Sequence, residues 1–341
     1  GVARFAFTGL IPAMLDDYLT IKFVGILASL NFAGYLSGSI FSIFVKDINF
    51  KVYLYRFGIF LAISTTFILA YSDNNTLWMV GRVLAGFAGA MCLIVGTSIV
   101  MQKLTIKSKT KAMGIHFSGI GFSILTTDLL ARFVLSLNYT WRDSWAVLAI
   151  FAIILSLYSV YILSFDKEVK QNAVKVKFDI SIFTPFVIVL IIAYFTEGVG
   201  FVVQATFLPD IINNLKGLEG YGSLTWTLVG VAGIPSCIIW MLLAHRFGSS
   251  NIIIIALLLQ AVGILIPAFS SNIYLNLLSG VLYGGTFIGL VALFMNLGGQ
   301  LSRGNPVVLM GAMTSSYGIG QVIAPLYSVY FIEKYGNYYY A

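Results

Sequence analysis

The chain reads as an all-α integral membrane protein built from two similar sets of helices, and three observations predict this. Of 341 residues, 59% are hydrophobic and only 10% charged, with a mean hydropathy of +0.94. That leaves too little polar surface to cover a water-soluble globule of this length. The apolar residues fall into eleven runs, most near the roughly 20 residues that cross a bilayer as a helix. Finally, the chain repeats itself: Gly1-Val2 with Pro12 recurs 197 residues later as Gly198-Val199 with Pro209, and Met113-Gly114 recurs as Met310-Gly311. A parallel duplication in an apolar chain points to two bundles that rock about a central site.

Taken in order, segment 1–15 carries Arg4 and is too short to span. Segment 21–45 has glycines four apart at Gly34 and Gly38, and 53–72 follows the basic loop 46–56. Segment 77–101 holds Arg82, Gly86 and Gly89; 112–136 opens at Met113-Gly114 and holds Asp128 and Arg132; 143–165 runs into the longest polar stretch. The second series is 182–209 with Glu197, 222–246 with Trp226 and Trp240, 250–270, 273–299 with Gly280, Gly284, Gly285 and Gly289, and 307–332. Small residues four apart let backbones approach closely, which is how helices associate in lipid. Runs this long and apolar on all sides exclude barrel strands, which alternate over about 10 residues. Because the pattern is already under way at Gly1 and stops soon after the eleventh segment, about eleven of twelve transmembrane helices are expected. The first is truncated and the twelfth absent. The expected organisation is an N-terminal bundle 1–165, a cytoplasmic linker 166–180 and a C-terminal bundle 181–341.

The net charge of +7 encodes topology. Thirteen of the twenty Lys and Arg lie in loops 46–56, 103–111, 166–180, 244–250 and 299–306, whereas the opposite loops hold only Lys22, Arg142, Lys216 and Lys334. The positive-inside rule makes the lysine-rich loops, the N-terminus and the linker cytoplasmic. Membrane lipid is then a partner of the basic loops. Nucleic acid is not, because no stacking aromatics interleave the basic residues. Cys92 and Cys237 sit mid-helix and far apart, so neither a disulfide nor a metal site is expected, and no cofactor is implied. Trp78, Trp141, Trp145, Trp226 and Trp240 fall near helix ends and predict an interfacial aromatic belt.

Arg82 with Gly86, Gly89 and Ala90 (GRVLAGFAGA) resembles the Arg-x-x-x-Gly signature of the fourth helix in the major facilitator superfamily. Lys46-Asp47 and Lys51 weakly echo its loop between the second and third helices. His245-Arg246-Phe247-Gly248 is a clearer echo, with histidine in place of aspartate. The runs EGVGFVVQATFLP (Glu197 to Pro209), WTLVGVAGIPSCIIW (Trp226 to Trp240), HFSGIG (His116 to Gly121) and the opening GVARFAFTGLIPAM are similar to the YbfB/YjiJ-type branch. The resemblance covers essentially the whole chain. It implies a major facilitator fold of two pseudo-symmetric six-helix bundles, a secondary transporter of the bacterial inner membrane working by alternating access as a monomer, and a central cavity lined by the first and seventh helices. The antiporter signature of the fifth helix, with Gly-Pro in its middle, is absent from 112–136, which speaks against drug efflux.

The chemistry rests on five ionisable residues inside apolar segments, where an unpaired charge costs at least about 2.5–3.5 kcal/mol. They are Arg4, Arg82, Asp128, Arg132 and Glu197. At about 1.5 Å rise per residue, Arg4 and Glu197 fall near the midplane, on segments that correspond under the repeat. A guanidinium binds two oxygens at once, so Arg4 is the candidate anchor for a carboxylate, phosphate or sulfonate. A carboxyl group at that depth can carry a proton, which makes Glu197 the candidate coupling group. The competing reading is that the two pair with each other. Asp128 and Arg132, four apart on one face, predict an intrahelical ion pair. With Arg82 at similar height they are expected as a clamp between the fourth and fifth helices, with an outer gate or a proton relay as the other readings. Asn31, Gln204, Asn296, Tyr317 and Gln321 would complete a substrate site or act as glue between helices. His116 is expected to pack.

The function expected is proton-coupled transport of a small organic anion, by symport or antiport. The alternatives are an exporter of neutral or cationic amphiphiles and a non-transporting solute sensor. No loop exceeds about 15 residues, which leaves a sensor little output surface. No His-Glu-x-x-His or Gly-x-Ser-x-Gly suggests an enzyme.

Overall fold

The computed structural model describes residues 1–45, 47–103, 109–163, 180–301 and 306–339. Lys46, Lys107, Arg303 and the expected linker up to residue 179 lie outside the described residues. Eleven helices form within them: α1 Phe5–Leu15, α2 Ile21–Ile43, α3 Ile48–Tyr71, α4 from Asn75, α5 Lys109–Ser136, α6 Trp141–Ile162, α7 Pro185–Asn213, α8 Gly222–Phe247, α9 Ser249–Phe269, α10 Ile273–Leu301 and α11 Pro306–Tyr335. Helix α4 runs to Ala90, passes through a π turn at Met91–Val95 and continues as Gly96–Lys103. Several starts follow directly from the sequence. Thr20, Asp47, Asn74 and Thr184 each accept a hydrogen bond from an N–H of the first turn they cap, and Thr140 with Asp143 forms a capping box.

Nine of these helices, α2 to α10, are long and apolar enough among the described residues to cross a membrane. Helix α1, at 11 residues, is too short. The sequence reading also counted 307–332 as a span, but α11 is not among the nine. It is diluted by Thr314, Ser315, Ser316 and Gln321 and ends in Glu333 and Lys334. Large apolar side chains such as Phe60, Ile154 and Leu258 stay more than 60% exposed, a surface suited to acyl chains rather than water.

The tryptophans differ from expectation. All five are buried rather than arrayed as a belt, and four indole N–H groups find acceptors inside the protein. Trp78 donates to the Ser72 carbonyl, Trp141 to Asp17, Trp145 to the Met14 sulfur and Trp240 to the Gly285 carbonyl. A buried indole usually finds such a partner; the Trp226 N–H, also buried, has none among the described residues. The exposed aromatics at helix ends are tyrosines and phenylalanines, among them Tyr71, Tyr161, Tyr274, Phe247 and Phe269.

Helices α1–α6 and α7–α11 meet along three seams, α1 with α7, α2 with α11, and α5 with α8. The repeat explains the pairing, because a shift of 197 carries α1 onto α7, α2 onto α8 and α5 onto α11. The α2–α11 and α5–α8 seams are therefore images of one another. On the pseudo-twofold itself equivalent residues touch: the Thr8 hydroxyl donates to the carbonyl of Ala205, 197 positions on. Within each set, glycine brings backbones into contact. A Cβ at Gly86 would strike the Asn31 carbonyl, and one at Gly34 the Val83 carbonyl. In the second set Gly284 and Gly280 meet the Val229 and Thr225 carbonyls in the same way.

Candidate functional site

Arg4 precedes α1 and lies where the two helix sets meet. Its guanidinium carbon sits 4.7 Å from the Phe32 ring centre, 4.9 Å from Tyr35, 5.2 Å from Phe5 and 5.6 Å from Phe201, its own counterpart in the repeat. Cation–π contact with aromatic faces holds the charge in place without neutralising it. Among the described residues no carboxylate pairs with Arg4, and its Nε, though buried, has no hydrogen-bond partner. Beside it lies a void of about 10 Å³, lined by Arg4, Thr8, Asn31, Arg82, Thr206 and five apolar residues. That is room for about one water molecule.

Glu197 does not bond to Arg4. It is 4% exposed and turns toward α9, where one carboxylate oxygen accepts from the Gln260 side-chain amide at 3.3 Å while the other has no partner. Around it α7, α10 and α11 supply an aromatic stack, with Tyr194 at 4.4 Å from both Phe294 and Tyr317, and Tyr317 leading on to Phe201 at 6.1 Å.

Arg82 stands apart from Asp128 and Arg132. It donates to the Leu27 carbonyl at 3.4 Å and the Ala3 carbonyl at 3.1 Å and lies 4.2 Å from the Phe7 ring centre, so it faces the void and Arg4. Asp128 and Arg132 form their ion pair within α5 at 3.3 Å, and the partner that joins them is Thr227 of α8. Arg132 donates to its hydroxyl at 2.6 Å, and the hydroxyl donates to Asp128 at 2.6 Å. The cluster therefore bridges the two helix sets instead of α4 and α5.

The remaining polar candidates separate. Asn31 lines the void and donates to the Arg82 carbonyl at 3.0 Å. Gln204 donates to Ile264 and Asn296 to Ser249, both on α9 and away from the void. Tyr317 belongs to the aromatic stack. Gln321 is 1% exposed with neither side-chain polar atom bonded. His116 lies 2.9 Å from the Thr97 hydroxyl, packed between α4 and α5. Sequence reasoning missed Thr8, Thr227, Gln260 and the rings around Arg4; for Thr8 the repeat itself was the available signal.

Helices of this length, joined by seams that obey the repeat around a charged void, define a multi-pass membrane protein built from two related helix sets. The chain belongs to the family described as "Uncharacterised MFS-type transporter YbfB", which it matches over residues 1–341. A stretch of 161 residues, 46% of this chain, is 24% identical to the Protein TsgA homolog of Buchnera aphidicola subsp. Baizongia pistaciae (strain Bp) and covers 41% of that protein. The chain thus spans less than half the length of this curated relative. Its fold is similar to that of the nucleoside transporter NupG in a mutant form, with a TM-score of 0.75 at 14% identity, over 100% of this chain and 91% of the other. It is also similar to a bacterial homolog to the human lysosomal transporter Spinster in an inward-facing, occupied conformation, with a TM-score of 0.68 at 15% identity, over 98% and 81% of the two chains. The chain accordingly belongs to a family described as MFS-type transporters and has a major facilitator fold.

Proposed function

We propose that the protein carries a small organic anion by alternating access, coupled to protons, with Arg4 as anchor and Glu197 as coupling group. The observation that carries this reading is the Arg4 guanidinium, which faces an internal void between the two helix sets with no acid among the described residues to neutralise it. A partly buried cation in that state is stabilised by an incoming anion. Glu197, with one oxygen unbonded and neutral aromatics around it, suits a group that exchanges a proton as its surroundings change. The bundles 1–165 and 181–341 would rock about the α1–α7 contact, in a bacterial inner membrane with the lysine-rich loops cytoplasmic and the protein working as a monomer.

One observation favours the amphiphile alternative: an apolar cleft of about 310 Å³ between α2 and α11, lined by Leu36, Ile40, Ile319, Val322 and Ile323 among others. A thermal-shift screen of the purified protein against small carboxylates, sulfonates, phosphates and cationic amphiphiles separates the two. Stabilisation by anions that disappears in Arg4→Ala is expected. Stabilisation by cationic amphiphiles alone, unchanged in Arg4→Ala, would replace the anion reading with export.

A further inference from the structure

We propose that Arg82 is the second arm of the anion site and that the substrate carries two negative charges. This rests on the Arg4 reading above and extends it from the sign of the charge to its count. Both guanidinium groups line the same void, and none of its other lining residues is acidic. Arg82 is 3% exposed. Its described partners are the Leu27 and Ala3 carbonyls, which use Nε and one terminal nitrogen, and its second terminal nitrogen has no described partner. Carbonyl dipoles satisfy hydrogens but bring no net charge, so two cations share one low-dielectric space. Like charges there repel strongly, far more than in water. A monoanion leaves one of them uncompensated, whereas a dianion neutralises both.

The neighbouring groups fit this use. Asn31 fixes the α4 backbone at Arg82 through its bond to that residue's carbonyl. The hydroxyls of Thr8 and Thr206 reach the same space, and Thr8 becomes a free donor once it leaves Ala205. A void of about 10 Å³ admits no anion as it stands. Entry therefore requires the α1–α7 seam to part, as alternating access demands. The aromatic rings around Arg4 would then lie against the apolar body of the substrate.

The test is calorimetric titration of the full chain at about pH 7.5, where a phosphate monoester, with its second pKa near 6, carries two charges. Two probe pairs are used: phenyl phosphate against methyl phenyl phosphate, and succinate against monomethyl succinate. Each pair differs by one charge and one methyl group. Wild type should bind the dianion of at least one pair about 10- to 100-fold more tightly, the range for a hydrogen-bonded charge. Arg82→Gln should erase that preference while the monoanion keeps its Arg4-dependent binding, and Arg82→Lys should retain part of it. Preference within the phosphate pair alone assigns one doubly charged head group, and within the succinate pair alone two separated carboxylates; both support the proposal. Equal binding of dianion and monoanion by wild type, lost in Arg4→Ala, overturns the two-charge inference and leaves the Arg4 reading standing. Absence of any Arg4-dependent anion binding overturns both. A preference that survives in folded Arg82→Gln places the second charge elsewhere and also overturns the proposal. The wild-type comparison decides even where the glutamine variant does not fold.

Discussion

Thr227→Val removes one hydroxyl from the crossing of α5 and α8 and changes the side chain's shape very little. That hydroxyl accepts from Arg132 at 2.6 Å and donates to Asp128 at 2.6 Å, with the Ser223 carbonyl at 2.9 Å competing for the same proton. Hydrogen bonds to charged groups contribute about 1.5–3 kcal/mol each in soluble proteins, but interhelical bonds in membranes average about 0.6 and reach about 1.7 kcal/mol. The membrane figure applies here. Arg132 is 36% exposed at its side chain, and the two charges keep each other at 3.3 Å within α5 after the hydroxyl is gone. Two bonds at that scale give about 1–2 kcal/mol, or about 5- to 30-fold in the balance between closed and parted α5–α8 seam. Hydrogen exchange of a peptide covering residues 222–232 reads this balance, since local opening governs exchange there. Thr126→Val is the control, because the Thr126 hydroxyl bonds only to carbonyls of its own helix. Faster exchange confined to the seam in Thr227→Val, absent in Thr126→Val, is expected. Equal exchange in the two variants, or acceleration spread evenly over all helices, would refute the seam argument.

Three further outcomes follow from the same geometry. Glu197→Gln should abolish proton-driven accumulation in proteoliposomes while sparing counterflow exchange, since an amide still bonds Gln260 but carries no titrating proton; full accumulation by the variant would remove Glu197 from the coupling role. Arg4→Lys should weaken anion binding about tenfold or more, because an ammonium lacks the two-oxygen fork, and unchanged affinity by titration would make the contact a point charge only. Gly86→Ala should lower stability by about 1–3 kcal/mol through overpacking, because the new methyl meets the Asn31 carbonyl, while Gly119→Ala, with nothing within 4 Å, should not; similar melting temperatures for the two would contradict the close α2–α4 approach.

The helices and the repeat were legible because both are written in local or periodic signals. Apolar run length placed α2 to α10, and the 197-residue offset implies that α2–α11 must mirror α5–α8. The i,i+4 spacing brought Asp128 and Arg132 together, yet nothing in it pointed to Thr227, 95 positions from Arg132, because a contact across two helices leaves no periodicity in either. Arg82 was assigned to the wrong neighbours for a related reason. Height along a helix can be counted from its ends to within about a turn, but the direction a side chain takes depends on how the helix is rotated against its neighbours. The tryptophans misled in the same way: depth suggested an interface, and packing turned each indole inward.

The repeat holds in the backbone and is broken in charge. Position 4 is arginine where its counterpart is Phe201, and position 82 is arginine where its counterpart is Ser279, whose hydroxyl donates to the Gly263 carbonyl at 2.6 Å. Both cations of the void therefore come from the first helix set, while the second contributes the ring of Phe201 and the small residues Ala205 and Thr206. Asn31 and the tight α2–α4 crossing tie Arg82 to that first set, so an anion held between the arginines would travel with it. Among the described residues, the seam that must open and reseal then carries no ion pair. At α1–α7 the described link is the Thr8 hydroxyl on Ala205, and at α5–α8 the Asp128–Arg132 pair stays within one helix and crosses through the Thr227 hydroxyl. Breaking a buried salt bridge by removing one partner costs about 3–5 kcal/mol, whereas an interhelical hydroxyl bond in a membrane costs about 0.6 kcal/mol on average. Confining the described charge pairs to one side of the seam keeps the barrier to rocking low, and under the proposed function it leaves the two arginines of the void as the element whose energy depends on whether substrate is present.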